Sequence, residues 1–359
     1  MAVTPPYTEG LRLLRWASSH PPTDPQTSFS GKTILITGAN VGLGLEAAAK
    51  FASLNAARLV LGVRSLSRGE VAKEQICKRA NYDMSKVQLY ELDMSTFASV
   101  KGFTDQISKH EPRIDVAVLN AGMAAPAYKL SPDGYEMTLQ VNVLSTALLA
   151  ILLLPLLHAT SRTSGKPSLL EFVGSDGHSM VKPDTFNSSS NSKILDFVNS
   201  EGFFNFQSHY QVTKLLLMYA MDGLVGSTTS PKVSSPSVII TTVCPGLCRT
   251  NLGRDFSSPL KAINATFQYF FARTAEEGSR SIVSGAALGP DSHGEFWTHD
   301  VFFRLVLIYF YVSEHFTDRP DRKGELVTSV EGKSLQKKSW SEILEVLRPH
   351  LPENNTLGL

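Results

Sequence analysis

Between Gly31 and Asp300 the chain alternates two textures. Short runs dense in Val, Ile and Leu, namely KTILIT (32–37), RLVLGV (58–63), VAVLN (116–120), SLLEFVG (168–174) and SVIITTV (237–243), place apolar side chains at successive positions. A strand buried on both faces reads this way, whereas a strand with one wet face alternates. Helical stretches separate the runs, so the pattern predicts repeated βα units around a parallel sheet, a doubly wound α/β domain over 31–300. Residues 1–30, rich in Pro, Ser and Thr, predict a loosely attached lead-in with one short helix at LRLLRWA. Residues 301–325 carry an apolar run outside the alternation, and 326–359 reads as a closing helix and tail.

Two runs invite comparison with membrane spans, VLSTALLAILLLPLL (143–157) and VFFRLVLIYFYV (301–312). Both are shorter than the roughly 18–20 apolar residues that cross a bilayer, and no secretory signal pattern opens the chain, so a cytoplasmic protein is expected. The first run is more apolar than one core-facing stripe requires, which leaves two readings, a deeply buried central helix or a homodimer contact. The second suits a weak membrane-surface contact, a lid, an added sheet element or the translation of a short unspliced intron. Residues 302–316 are expected to contact none of the reacting residues named below.

With 359 residues and 42% hydrophobic content the chain can build a full core. A net charge of +1, spread without a basic stripe, argues against nucleic acid and for a neutral small-molecule partner. Cys77, Cys244 and Cys248 form no CxxC pair, and His178 and His209 have no ligand partners at useful spacing, so no metal is expected. Both histidines read as structural or substrate-lining.

The first strand runs into TGANVGLGLEAAAKFA, where Gly38, Gly42 and Gly44 form TGxxxGxG ahead of an Ala-rich helix. Glycines there let the backbone turn and approach a pyrophosphate seated on the helix N-terminus. After the second strand an NAD site normally offers an acidic residue to the ribose hydroxyls; this chain offers Arg64, whose guanidinium suits a 2′-phosphate. That favours NADP(H).

Tyr210 and Lys214, in HYQVTKLLLMYA, stand four apart on one helical face. A free phenol has a pKa near 10, and closing the gap to neutrality takes about 4 kcal/mol. A lysine charge about 5 Å away in a medium of dielectric near 20 is worth about 3 kcal/mol. The spacing therefore predicts a tyrosine tuned down by Lys214 and by a positive nicotinamide ring, for acid/base work.

In order the chain presents TGxxxGxG, LDM (92–94), NAG (120–122), Asn142 in VNVLS, Ser175 in FVGSDGH, YxxxK and PGLCRT (245–250). This constellation resembles the short-chain dehydrogenase/reductase family, in the branch marked by TGxxxGxG and NAG. The wording is most similar to fungal members of specialised metabolism and to retinol-dehydrogenase-like reductases. The resemblance implies a Rossmann fold and a ketone/alcohol interconversion on a lipophilic small molecule. It further implies that Tyr210 donates a proton to the carbonyl, Lys214 binds the nicotinamide ribose, Ser175 bonds the substrate oxygen and Asn142 holds a relay water. By the same resemblance Gly38, Asn40, Gly42, Leu43 and Gly44 cradle the cofactor phosphates, and Asp93 and Met94 contact adenine. Asn120 and Gly122 lie along the cofactor, and Pro245 and Gly246 bring Thr250 near the carboxamide. Asn142 bonding a helix carbonyl and Ser175 capping a turn stay open as structural alternatives.

Two departures stand out. Between Ser175 and Tyr210 lie 34 residues, where compact family members have about a dozen. The Phe-rich insertion FNSSSNSKILDFVNSEGFFNFQ either lines a pocket for a bulky apolar substrate or packs as a small hairpin. The second departure is the apolar run after Asp300. Competing functions are a non-redox epimerase, dehydratase or cyclase on the same scaffold, and a cofactor-sensing interaction protein.

Overall fold

The computed structural model describes residues 10–189, 193–228, 235–250, 252, 256, 258–302 and 324–352. Among the described residues, eight strands form one sheet in the order β3-β2-β1-β4-β5-β6-β7-β8. They are β1 (Thr33–Thr37), β2 (Arg58–Val63), β3 (Val87–Glu91), β4 (Val116–Leu119), β5 (Ser168–Val173), β6 (Val238–Cys244), β7 (Phe296–Thr298) and β8 (Val301–Phe302). The first seven run parallel, and β8 returns antiparallel on β7. The five apolar runs are the five central strands, buried throughout but for Arg58 at the start of β2. β3, absent from that set, is an edge strand whose middle residues are only half-buried, so its sequence VQLYE lacks the continuous apolar signature.

Alternate residues of each strand feed two cores. Ile34, Ile36, Leu59, Leu61, Val116 and Val118 pack beneath α2 (Gly42–Ser53), α3 (Leu66–Ala80) and, further along the chain, the helix Ala275–Gly285. Leu35, Val60, Ala117, Leu170 and Ile240 face α4 (Phe97–His110), α5 (Ser145–Ser164) and the helix that carries Tyr210 and Lys214. The strand order reverses between β1 and β4, which opens a crevice at the carboxyl ends of the strands, where open α/β sheets bind ligands.

The insertion is helical, not a hairpin: a 3-10 stretch (Pro183–Ser189) leads to α6 (Ile194–Asn199), which buries Ile194, Leu195 and Val198. Helical spacing of these apolar residues gives α6 one buried face, and Leu195 N–H donates to Glu342 in the closing helix at 2.8 Å. The rings of Phe197 and Phe203 lie 4.7 Å apart, and Phe203 and Phe204 pack on His209. Then follow α7 (His209–Thr228), α8 (Ser258–Phe271), α9 (Ala275–Gly285) and α10 (Val330–Leu347). Trp340 of α10 seats on Gly223 of α7, where a Cβ would stand 2.3 Å from the indole. The run 143–157 falls in a continuous helix, Met137–Ser164, long and apolar enough to cross a membrane, yet 72% of its most apolar window is buried inside the protein. Its surplus apolar surface is thus covered within the chain.

The lead-in is held more firmly than its composition predicts. Its helix α1 (Gly10–Ser19) leaves the Ala17 carbonyl facing the guanidinium of the fully buried Arg273, whose Nε and Nη2 donate to it at 3.0 and 2.9 Å. Phe29 is buried edge-on against Phe51, and Lys50 pairs with Asp24. At the other boundary, His299 and Asp300 take left-handed backbone angles (φ 52° and 59°) and close a two-residue hairpin between β7 and β8, a turn whose twist matches the strands. Val301 and Phe302 therefore belong to the sheet's edge by their backbone, not to a segment outside it. Residues 303–323 lie outside the described residues, and with them the expectations for the rest of that run.

Candidate active site

Two ends of one crevice carry the chemistry. At the first, β1 ends at Thr37 and the chain turns through Gly38 (φ 67°) and Gly42 (φ 59°) into α2. Positive φ at these positions suits glycine and strains other residues. Gly44 is required for a different reason: a Cβ there would lie 2.5 Å from the Gly38 carbonyl oxygen and 2.6 Å from Asn120 Nδ2. Val41 stands at the N-cap of α2 without a side-chain cap, so the first-turn N–H groups, those of Gly42, Leu43 and Gly44, are offered to an anion; Asn40 is partly exposed in the turn just before. Asn120 braces the turn, its Nδ2 donating to Thr37 O at 2.8 Å, while the N–H groups of Asn120 and Ala121 both donate to Thr37 Oγ1. The asparagine of NAG is thus a strut between β4 and β1.

Arg64 is exposed at the end of β2, and among the described residues it forms no ion pair. Ser65 beside it caps α3. One strand over, Leu92 N–H bonds Val63 O, Asp93 Oδ1 accepts from Ser95 N–H at 3.0 Å and Met94 is buried. Asp93 and Met94 therefore sit beside the Arg64 end of the sheet.

At the second end Ser175, Tyr210, Lys214 and Asn142 converge. Ser175 follows β5 beside Tyr210, whose pKa its side chain lowers, and its Oγ accepts from Gly177 N–H at 3.1 Å. Lys214 is buried, donates from Nζ to Val173 O at 2.8 Å and stands 5.7 Å from the Tyr210 ring centroid. Gly122 fills the gap between: a Cβ there would come within 3.3 Å of Asn142 Oδ1 and 3.9 Å of Lys214 Nζ.

Three observations bear on the expected roles. Burial raises the Tyr210 pKa above that of a free phenol, and the Ser175 side chain opposes only part of this. Burial acts on Lys214 as well and depresses its own pKa to about 8. The Asn142 side chain is committed to protein partners: Oδ1 accepts from Met123 N–H at 2.9 Å, and Nδ2 donates to Met123 O and Thr213 Oγ1. It sits in a π-helical turn, Gln140–Leu144, leading into α5, and locks that turn to the NAG loop. Thr250, finally, lies against the glycine turn, 3.9 Å from a Cβ built on Gly42.

The loop that carries Thr250 is set by Pro245 and Gly246 together with Arg273, which the sequence did not flag. Gly246 has φ 73°, and Arg273 Nη1 donates to Pro245 O at 3.4 Å. Cys244 Sγ accepts from the N–H groups of Asp176 and Gly246, so β6 is tied to the Ser175 loop. Burial pushes the Cys248 thiol up to about 12, and the three cysteines are free thiols. His209 Nε2 meets Glu136 at 2.7 Å with both side chains buried, and this pair fixes the start of α7 one residue before Tyr210. Hydrogen bonds from His209 and from the Thr138 and Leu139 N–H groups hold the Glu136 carboxyl below the usual range, although its burial opposes them. Thr-x-x-Glu at 274–277, a capping box opening α9, is the one nearby device readable from spacing. Glu136 has no such signal. Among the described residues no three His, Cys, Asp or Glu side chains gather as a metal site.

Residues 32–166 match the family model described as short chain dehydrogenase. The short-chain dehydrogenase/reductase phmF of Phaeosphaeria nodorum is 46% identical over 345 residues, covering 96% of this chain and 95% of the relative. The homonymous ffsI of Aspergillus flavipes is 46% identical over 348 residues, and the short-chain dehydrogenase sdnK of Sordaria araneosa 35% over 359, covering 94% of this chain and 96% of the relative. Among solved structures, an alcohol dehydrogenase of the archaeon Thermococcus sibiricus in complex with 5-hydroxy-NADP shares the fold at a TM-score of 0.53 and 20% identity, over 76% of this chain and 96% of that one. Matched at such identity over nearly its whole length, the chain belongs to the short-chain dehydrogenase/reductase family, oxidoreductases that bind a nicotinamide cofactor.

Proposed function

We propose that this protein is an NADP(H)-dependent reductase that interconverts a ketone and an alcohol on a lipophilic small molecule in fungal specialised metabolism. The observation that carries the reading is the meeting of Ser175, Tyr210 and Lys214 beside Gly122 at the carboxyl end of the sheet. The glycine turn and the uncapped start of α2 suit a pyrophosphate, so the residues present fit a nicotinamide dinucleotide. Arg64, exposed and without an ion-pair partner among the described residues, supports the 2′-phosphorylated form. Relatives of fungal origin support the metabolic setting.

When bound, the cofactor supplies the hydride. Ser175 Oγ and the Tyr210 hydroxyl both address the substrate oxygen, and the phenol gives that oxygen its proton. Burial keeps the phenol protonated at neutral pH, the state a donor needs. Once the proton leaves, the Lys214 ammonium, held by the Val173 carbonyl and 5.7 Å from the centroid of the Tyr210 ring, stabilises the phenolate.

Purified protein incubated with NADPH and a panel of aromatic and terpenoid ketones tests this. One alcohol formed per NADPH consumed, with NADPH favoured over NADH, is the expected result. Substrate turnover without net NADPH consumption would replace the reading with a non-redox one, and a preference for NADH would remove the role given to Arg64.

A further inference from the structure

Helix α8 has its polarity inside out. Ile263, Phe267 and Phe270, spaced as one helical stripe, are 66%, 37% and 61% exposed, and Tyr269 beside them is 68% exposed. The stripe turned toward the protein is Asn264, Gln268 and Phe271, all half-buried. A helix lying on a globular core normally puts the apolar stripe inward. Here the amides face the protein and the rings face out.

The neighbouring surface continues the pattern. α1 packs against α8 and exposes Leu11 together with Arg12 and Arg15. Neither helix contains an Asp or Glu, and Lys261 adds a third exposed cation. Arg249 adds a fourth at the end of α8, donating to the carbonyls of Gln268 and Tyr269 with its guanidinium 5.4 Å from the Tyr269 ring centroid. The carboxylates that follow are engaged elsewhere, Glu276 with Lys50 and Arg280, Glu277 with the Thr274 cap. Buried Arg273 fastens α1 through Ala17 and His20 to the end of α8, so the two helices present one firm surface.

We propose that the α1–α8 face docks the protein on an anionic lipid surface. Outward Phe, Tyr and Ile side chains enter the headgroup boundary while Arg12, Arg15, Lys261 and Arg249 meet lipid phosphates and carboxylates. Charge separates this occupant from a second copy of the chain. A two-fold contact through one patch would crowd Arg12, Arg15 and Lys261 of both copies into one interface with no acid in either helix to offset them. The loop between β6 and α8 carries Thr250, which lies against the glycine turn, so the docked face adjoins the cofactor crevice.

Flotation of the full chain with phosphatidylcholine vesicles, with and without phosphatidylserine, tests the proposal. The wild type should float with the anionic vesicles and much less with the neutral ones. Phe267→Ser with Phe270→Ser should weaken partitioning about tenfold or more. Arg12→Ala and Arg15→Ala should each weaken it about fivefold and reduce its salt sensitivity. Ile263→Gln, at the most exposed apolar position of the stripe, serves if the double variant fails to melt cooperatively. Three results would overturn the proposal: a wild type that stays in solution, α8 variants that float as well as the wild type, or a dimer in light scattering that the α8 variants dissolve.

Discussion

Lys214→Met separates the site's function from its cost. In the folded protein the Lys214 pKa falls from 10.5 to about 8, chiefly because burial penalises the ammonium. The fall corresponds to about 3 kcal/mol of destabilisation at neutral pH, where the group is charged in both states. Methionine has similar length and no charge, so it removes this term. It also loses the bond to the Val173 carbonyl, which costs about 1–2 kcal/mol. The variant should therefore be more stable than wild type at pH 7 by about 1–2 kcal/mol. The sign of the pH dependence follows from the same numbers. Between about 8 and 10.5 the unfolded lysine still holds a proton that the folded one has released, so wild-type stability from this residue rises with pH across that window. By pH 9.5 about 2 kcal/mol of the penalty is gone. The advantage of the variant should shrink by that amount, and comparing the two proteins cancels every other titrating group. Urea unfolding of both proteins without cofactor, at pH 7 and 9.5, measures it, and turnover of the variant should be lost. A variant less stable at pH 7, or a difference between the proteins that does not move with pH, would refute the buried-charge account.

Tyr210→Phe should lower kcat by about 10² to 10⁴ and leave NADPH affinity within about threefold, since it removes a proton and little contact surface; a variant that keeps more than about a tenth of wild-type rate sinks the donor role. Arg64→Asp should shift cofactor preference from NADP toward NAD, read as the ratio of the two dissociation constants; an unchanged ratio would move the phosphate contact to another residue, such as Arg68. Gly44→Ala forces a methyl toward the Gly38 carbonyl and Asn120 Nδ2, so it should abolish cofactor binding in titration and lower stability by about 1–3 kcal/mol, and normal binding would show that the turn can yield.

The five doubly buried strands and the ends of the crevice were legible in the sequence, because a strand covered on both faces must be apolar at every position and a phosphate turn must be glycine where Cβ has no room. Tyr210 and Lys214 were legible together because helical periodicity alone puts residues four apart on one face. β3 was not, since an edge strand needs no continuous apolar run, and neither was the two-residue β8, whose existence rests on the left-handed turn at His299 and Asp300. Tertiary structure alone decided the electrostatics. Residue type gives a phenol and an ammonium their ordinary pKa values; burial, which depends on everything packed around them, raised one and depressed the other. The same holds for Arg273, Glu136 and the amide of Asn142, polar groups whose partners lie far along the chain and whose roles arise only when folding brings those partners within hydrogen-bond reach. Sequence fixes which chemistry a chain carries and the local geometry that periodicity enforces, while desolvation and long-range pairing are properties of the packed whole.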